Sequence, residues 1–159
     1  MMNTKKQIRP FNQDAYDACD SKPKVLLNEI MQKKGYKLLY GLNQDDKEKY
    51  DMIFEKDGER LIFENEVREV FDIIRDKYKT VHIPYRKRES IANFYVVWKK
   101  TYDEFILIPF EEIKRGKLVK IKCKEPNKNI VYEEVMVDVQ KNKCQFFKKI
   151  NNTWKINKI

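Results

Sequence analysis

Histidine and cysteine are scarce in this chain, and no long apolar run interrupts it. Its 159 residues hold one histidine, His82, and three cysteines, Cys19, Cys123 and Cys144. The cysteines are odd in number, widely spaced and without a CxxC pair. That pattern argues against a zinc ribbon or a disulfide framework and for a reducing, intracellular (cytoplasmic) setting. A single histidine excludes the HExxH protease signature. Any histidine-dependent triad would rest on a residue flanked by Val81 and Ile83, where a hydrogen-bonded strand position is the simpler reading. No stretch approaches the ~20 apolar residues of a membrane-spanning helix, and the opening MMNTKKQIRP lacks the apolar segment of a signal peptide, so no membrane partner is expected.

What the chain does contain is apolar and basic. An apolar fraction of 42% with 13% aromatics is globular, and the length suits one domain with a single core. Lysine and arginine number 34 against 25 acidic residues, a net charge of +9. Such an excess favours a polyanionic partner, because neutralising phosphates releases counterions, although compositional bias alone also produces it. Nucleic acid is the first candidate.

Three regions follow from the pattern: a basic arm with a short helix over 1–22, a core over 23–116, and a basic β-meander packed on the core over 117–159. Residues 12–20 predict one or two helical turns before Pro23. Leu26, Leu27, Ile30 and Met31 recur at helical spacing and stop at Gly35. A strand is expected over 36–40, a charged loop over 43–49, and a second helix whose face carries Val67, Val70, Phe71, Ile74 and Tyr78. Further strands are predicted over 81–85, 94–98 and 105–109, then a brief helix over 110–115. The meander strands span 117–124, 130–139, 144–150 and 153–156. In the first of these, Lys120, Lys122 and Lys124 share a face, suited to a phosphate backbone but equally to a solvated surface or a protected sheet edge.

The chemistry concentrates at Tyr50 to Glu66. Asp57-Gly58 between two apolar runs signals a two-residue hairpin, pairing Lys56 with Glu59, Phe54 with Leu61 and Ile53 with Ile62. Continued two places, this register sets Asp51 opposite Glu64, with Glu66 further along the same face. Opposed carboxylates repel unless compensated, and a divalent cation is the simplest compensation. Solvated acids at strand ends, with Glu66 favouring the start of the next helix, are the plainer alternative. Asp51 and Glu64 supply what Mg²⁺ needs, with Mn²⁺ as a substitute. Glu66 suits a water ligand or a general base, and the Arg86-Lys87-Arg88 segment offers a cation, best from Arg86 or Lys87, for charge building on phosphoryl oxygens.

The order helix, strand, Asp-bearing strand, Asp-Gly turn, strand with Glu-x-Glu, helix and strand resembles the PD-(D/E)xK nuclease superfamily over residues 23–110. Asp51 matches its first acid, Glu64 its second, and Glu66 the place usually held by lysine. The resemblance implies an α/β fold with a mixed central sheet flanked by helices, like that of restriction endonucleases. It also implies a Mg²⁺-dependent DNA endonuclease, with Glu29 on the first helix as a further metal ligand and DNA, bound partly by Arg88 and the lysine row, as partner. A homodimer is compatible with it. A catalytically inactive nucleic-acid-binding module of the same fold, or a small intracellular protein-interaction domain, stands beside it.

Overall fold

The structure, a computed structural model, describes residues 13–42, 51–124 and 129–157, with side chains from residue 21 onward. The expected basic arm, the charged loop 43–49 and most of the turn after residue 124 lie outside these residues.

The architecture is α/β, with a mixed seven-stranded sheet, a three-stranded antiparallel sheet and few helices. The chain runs α1 (Gln13–Lys33), β1 (Lys37–Tyr40), β2 (Met52–Lys56), β3 (Glu59–Arg68), α2 (Phe71–Asp76), β4 (Thr80–Pro84) and a 3₁₀ helix (Tyr85–Glu89). It continues through β5 (Phe94–Lys99), β6 (Glu104–Pro109), α3 (Phe110–Arg115), β7 (Lys117–Lys124), β8 (Val131–Gln140), β9 (Gln145–Ile150) and β10 (Thr153–Ile156). The large sheet has the order β1-β2-β3-β5-β6-β9-β10 and the small one β4-β8-β7. Among the described residues only β3 and β5 pair in parallel, the connection between them carrying α2, β4 and the 3₁₀ helix.

The runs Phe94–Trp98 and Phe105–Ile108 are apolar without alternation because both faces of the large sheet are covered. On one face Val96, Trp98, Phe105, Phe54 and Phe63 meet Leu27 and Met31 of α1. On the other, Tyr95, Val97, Ile106 and Ile108 meet Val81 and Ile83 of β4 together with Val137 and Val139 of β8. Fully burying one such side chain contributes about 1.5–3 kcal/mol. The second face is thus covered by a sheet with two six-residue helices, α2 and α3, where a sheet flanked by helices was expected; α3 is the brief helix expected over 110–115.

Three local expectations are corrected. Pro23 lies inside α1, so the turns before it and the helix after it are one element of 21 residues. Val67 belongs to β3, not to a helix, because parallel pairing with Trp98 extends the strand to Arg68. Of the remaining stripe only Phe71 and Ile74 are buried, while Val70 and Tyr78 are exposed. The four C-terminal strands exist, but β7 and β8 join the small sheet and β9 and β10 the large one, so they do not form a single meander.

The hairpin register is the expected one: Lys56 pairs with Glu59, Phe54 with Leu61 and Ile53 with Ile62. Asp57 and Gly58 both have positive φ, 51° and 79°, the mirror-image turn that matches strand twist. An added Cβ at Gly58 meets nothing within 4 Å, so Gly58→Ala should cost only its backbone strain, about 1 kcal/mol. At Gly41, with φ of 127°, a Cβ would overlap the Asp51 carbonyl oxygen and crowd Met52. Gly41→Ala should therefore lose clearly more stability than Gly58→Ala in urea unfolding. Equal losses would show that this close approach carries no weight.

Candidate active site

β3 outruns its neighbour. The β2 ladder ends at Met52 opposite Phe63, and β3 continues to Arg68 alongside β5. Asp51, the residue before β2, reaches across this step, and its Oδ2 accepts a 2.6 Å hydrogen bond from the Asn65 amide. The carboxylate thereby takes up a backbone donor that no β2 residue pairs with. Asn65 is fixed from its other side by Trp98, whose Nε1 donates to Asn65 Oδ1 at 2.9 Å.

Alternation along β3 sends Glu64 and Glu66 to the face that carries Tyr95 and Val97, their neighbours in the parallel ladder. Glu64 is buried, with 7% of its side chain exposed. A bare carboxylate there would be costly, and two donors from the segment after β4 satisfy it. Lys87 Nζ donates to Oε2 at 2.9 Å and Ser90 Oγ to Oε1 at 2.5 Å. Ser90 Oγ in turn accepts the Ala92 amide at 3.2 Å, which fixes the direction of its own proton.

Glu66 has different partners. Arg68, two residues on and on the same strand face, donates through Nε to Oε1 at 2.8 Å and through Nη2 to Oε2 at 3.2 Å, and the Tyr95 hydroxyl also donates to Oε2. Burial works against the charge, but the Arg68 guanidinium outweighs it, aided by these bonds and by the nearby Lys87, and holds the Glu66 carboxyl below the usual glutamate range. Burial and the adjacent Glu66 push the Tyr95 hydroxyl well above its ordinary value. A carboxylate held ionised in this way is a weaker base than an ordinary glutamate, and its bonds to Arg68 and Tyr95 anchor it.

The remaining expected residues are spread out. Arg86 is exposed, whereas Arg88 donates through Nη2 to the Lys114 carbonyl at the end of α3. Lys120, Lys122 and Lys124 share one face of β7, as expected, and are exposed, alternating with half-buried Val119, Ile121 and Cys123. Glu29 is not brought to the others: it is exposed on α1, the helix whose Leu27 and Met31 pack on the opposite face of the sheet. His82 stands in β4 across from Asp138, its Nε2 3.1 Å from the carboxylate. Among the described residues no group of three or more His, Cys, Asp or Glu is placed to hold a metal. The expected donors Asp51 and Glu64 are both carboxylates, the ligand type that suits Mg²⁺, an ion commonly held by one or two carboxylates with waters and substrate phosphates completing its shell.

Ser90, Tyr95, Arg68 and Asn65 complete the site without having been expected from sequence. Arg68 was legible, since Glu66 and Arg68 share a strand face by period two. Ser90 and Tyr95 come from remote segments and leave no local signal.

Glu66, with its folded pKa lowered, contributes stability that is present above the ordinary glutamate value and is lost as pH falls through the lowered one. Arg68→Met should cost about 2 kcal/mol at neutral pH, as for hydrogen bonds to a charged group. The difference from wild type should shrink on acidification as Glu66 protonates in both proteins. Urea unfolding over a pH series reads this directly, and a pH-independent difference would rule out an ionised pair.

No family model and no curated protein matches this chain.

Proposed function

We propose that this domain is a Mg²⁺-dependent endonuclease that hydrolyses phosphodiester bonds in DNA, built on a restriction-endonuclease-like plan. The observation that supports it is the meeting of Lys87 Nζ with Glu64, 2.9 Å apart across 23 residues of chain, beside the strand step that seats Asp51. Glu64 thus meets a lysine although the position for a motif lysine is filled by Glu66. The lysine arrives from the 3₁₀ helix instead of from β3.

Asp51 and Glu64 would hold the metal, and when bound it supplies an activated water and stabilises charge on the phosphoryl oxygens. The chain's own residues do the rest. Lys87 presents its ammonium group beside Glu64, where a phosphate oxygen arriving at the site can take over its hydrogen bond. Negative charge on that oxygen grows towards the transition state, so the lysine interaction strengthens as the bond breaks. Ser90 keeps the Glu64 carboxylate oriented through Oε1. Arg68 and Tyr95 keep Glu66 ionised and engaged, which adds negative charge behind the site without consuming a proton.

A second function, a nucleic-acid-binding module without catalysis, is favoured by one specific feature: both oxygens of Glu64 and both of Glu66 already have protein donors. Plasmid cleavage with and without Mg²⁺ separates the two. Asp51→Asn and Glu64→Gln should abolish Mg²⁺-dependent cleavage while circular dichroism shows the fold retained. Lys87→Ala should lower turnover by about 10²–10³, the scale of losing one preorganised donor, and weaken DNA binding much less. Cleavage surviving in either acid variant would overturn the assignment, and DNA binding without any cleavage would leave the module.

A further inference from the structure

β7 and β8 outlast the sheet to which they belong. β4 pairs with β8 only from Met136 to Gln140, whereas β7 follows β8 as far as Lys124 opposite Val131. Past Val135 the pair is a two-stranded ribbon. Its two faces differ. Val137 and Val139 point into the core between the two sheets, so by alternation Val135 and Val131 lie on the same face, as do Lys120, Lys122 and Lys124 across from Val135, Glu133 and Val131. Along β8 this face passes from 0% exposed at Val137 to 37% at Val135 and 63% at Val131. It is the inner face, which at Val137 and Val139 packs in the core with Tyr95 and Val97 of the large sheet, continuing past the edge of that core.

Charge is sorted between the faces. The inner face carries three lysines against one acid, Glu133, 3.6 Å from Lys120. The outer face carries Glu134, Asp138 and Lys117. Lysines that merely protect an edge strand from pairing serve equally well on either face, so edge protection leaves their confinement to the inner one unexplained. The base of the ribbon also adjoins the site, because β4 ends at Pro84 opposite Met136 and the next residues form the 3₁₀ helix that delivers Lys87.

We propose that the inner face of this ribbon is a clamp for the backbone of duplex DNA, with Lys120, Lys122 and Lys124 on phosphates flanking the bond that sits at Glu64 and Lys87. The placing of that bond rests on the nuclease function above; the binding surface does not. Alternate residues of a strand are about 6.8 Å apart. This corresponds to the rise of two nucleotide steps, roughly 3.4 Å each, along the duplex axis. At the described positions the inner face offers no arginine, asparagine or glutamine, the side chains that most often read bases through paired hydrogen bonds. It holds the duplex without reading its sequence.

The test compares two full-length triple variants of equal charge change on a blunt synthetic DNA duplex, across a salt series. Lys120→Gln/Lys122→Gln/Lys124→Gln should bind at least about tenfold more weakly near physiological salt and reduce the salt slope by about 0.9 per lysine removed. Lys117→Gln/Lys143→Gln/Lys155→Gln, exposed positions away from the inner face, should change neither by a comparable amount. Turnover at saturating duplex should stay within about twofold of wild type in this second variant, whose lysines belong neither to the clamp nor to the site. Equal weakening in the two variants would overturn the clamp and leave a general charge effect, as would an unchanged slope in the ribbon variant. Ribbon-dependent binding without Mg²⁺-dependent cleavage would sink the nuclease and keep the clamp. Cleavage with a ribbon-independent salt slope would do the reverse, and absence of duplex binding by the wild-type chain would overturn the clamp.

Discussion

A carboxylate enters an apolar interior only if a cation or a full set of donors enters with it, and two glutamates impose that condition here. Among the described residues Glu64 and Glu104 are the buried charged side chains. Glu64 takes Lys87 and Ser90 from the segment after β4, and Glu104 takes Arg75 from α2, with Nη1 2.6 and 2.5 Å from its two oxygens, and Lys99 at 3.4 Å. Both cations that enter from outside the large sheet, Lys87 and Arg75, belong to the connection between β3 and β5. The buried acids therefore pin that crossover to the sheet at two places, one of them the candidate site.

Removing one partner of such a pair is expected to harm the fold more than the pair itself helps it, because an uncompensated buried charge is what remains. The two acids are held in unlike ways. Glu64 is held by an ammonium and a hydroxyl from a segment remote in the chain, whereas Glu66 is engaged by a guanidinium two residues away and a buried tyrosine. Neighbouring acids on one strand face thus have unlike environments: one depends on a distant segment, the other chiefly on its own strand and its neighbour β5.

Much of this was legible in the sequence, and the illegible part has a physical pattern. The β2–β3 register could be derived because a two-residue turn with positive φ at both positions leaves one pairing. Individual strands near the C-terminus could be drawn from alternation and turn residues. Which sheet each joins could not, since pairing partners such as Phe105 for Phe147 are decided by packing far along the chain. Val67 fits a helical stripe by spacing alone, and only its distant partner Trp98 makes it a strand residue. At the site, the acids and the basic segment could be named, but choosing Lys87 over Arg86 as the partner of Glu64 required the 3₁₀ turn, in which successive side chains diverge.

The separation of acid and cation along the chain also orders how the site opens and closes. A hairpin closed by two residues loses little chain entropy on forming, whereas the Lys87–Glu64 pair closes a loop of 23 residues and depends on the docking of α2, β4 and the 3₁₀ helix. Local opening of that crossover releases Lys87 and Ser90 together while β2 and β3 stay paired, so the carboxylates meet water before the sheet that carries them is lost. The pairing of Lys87 and Ser90 with Glu64 thus reports on the crossover as well as on the hairpin that carries the acid.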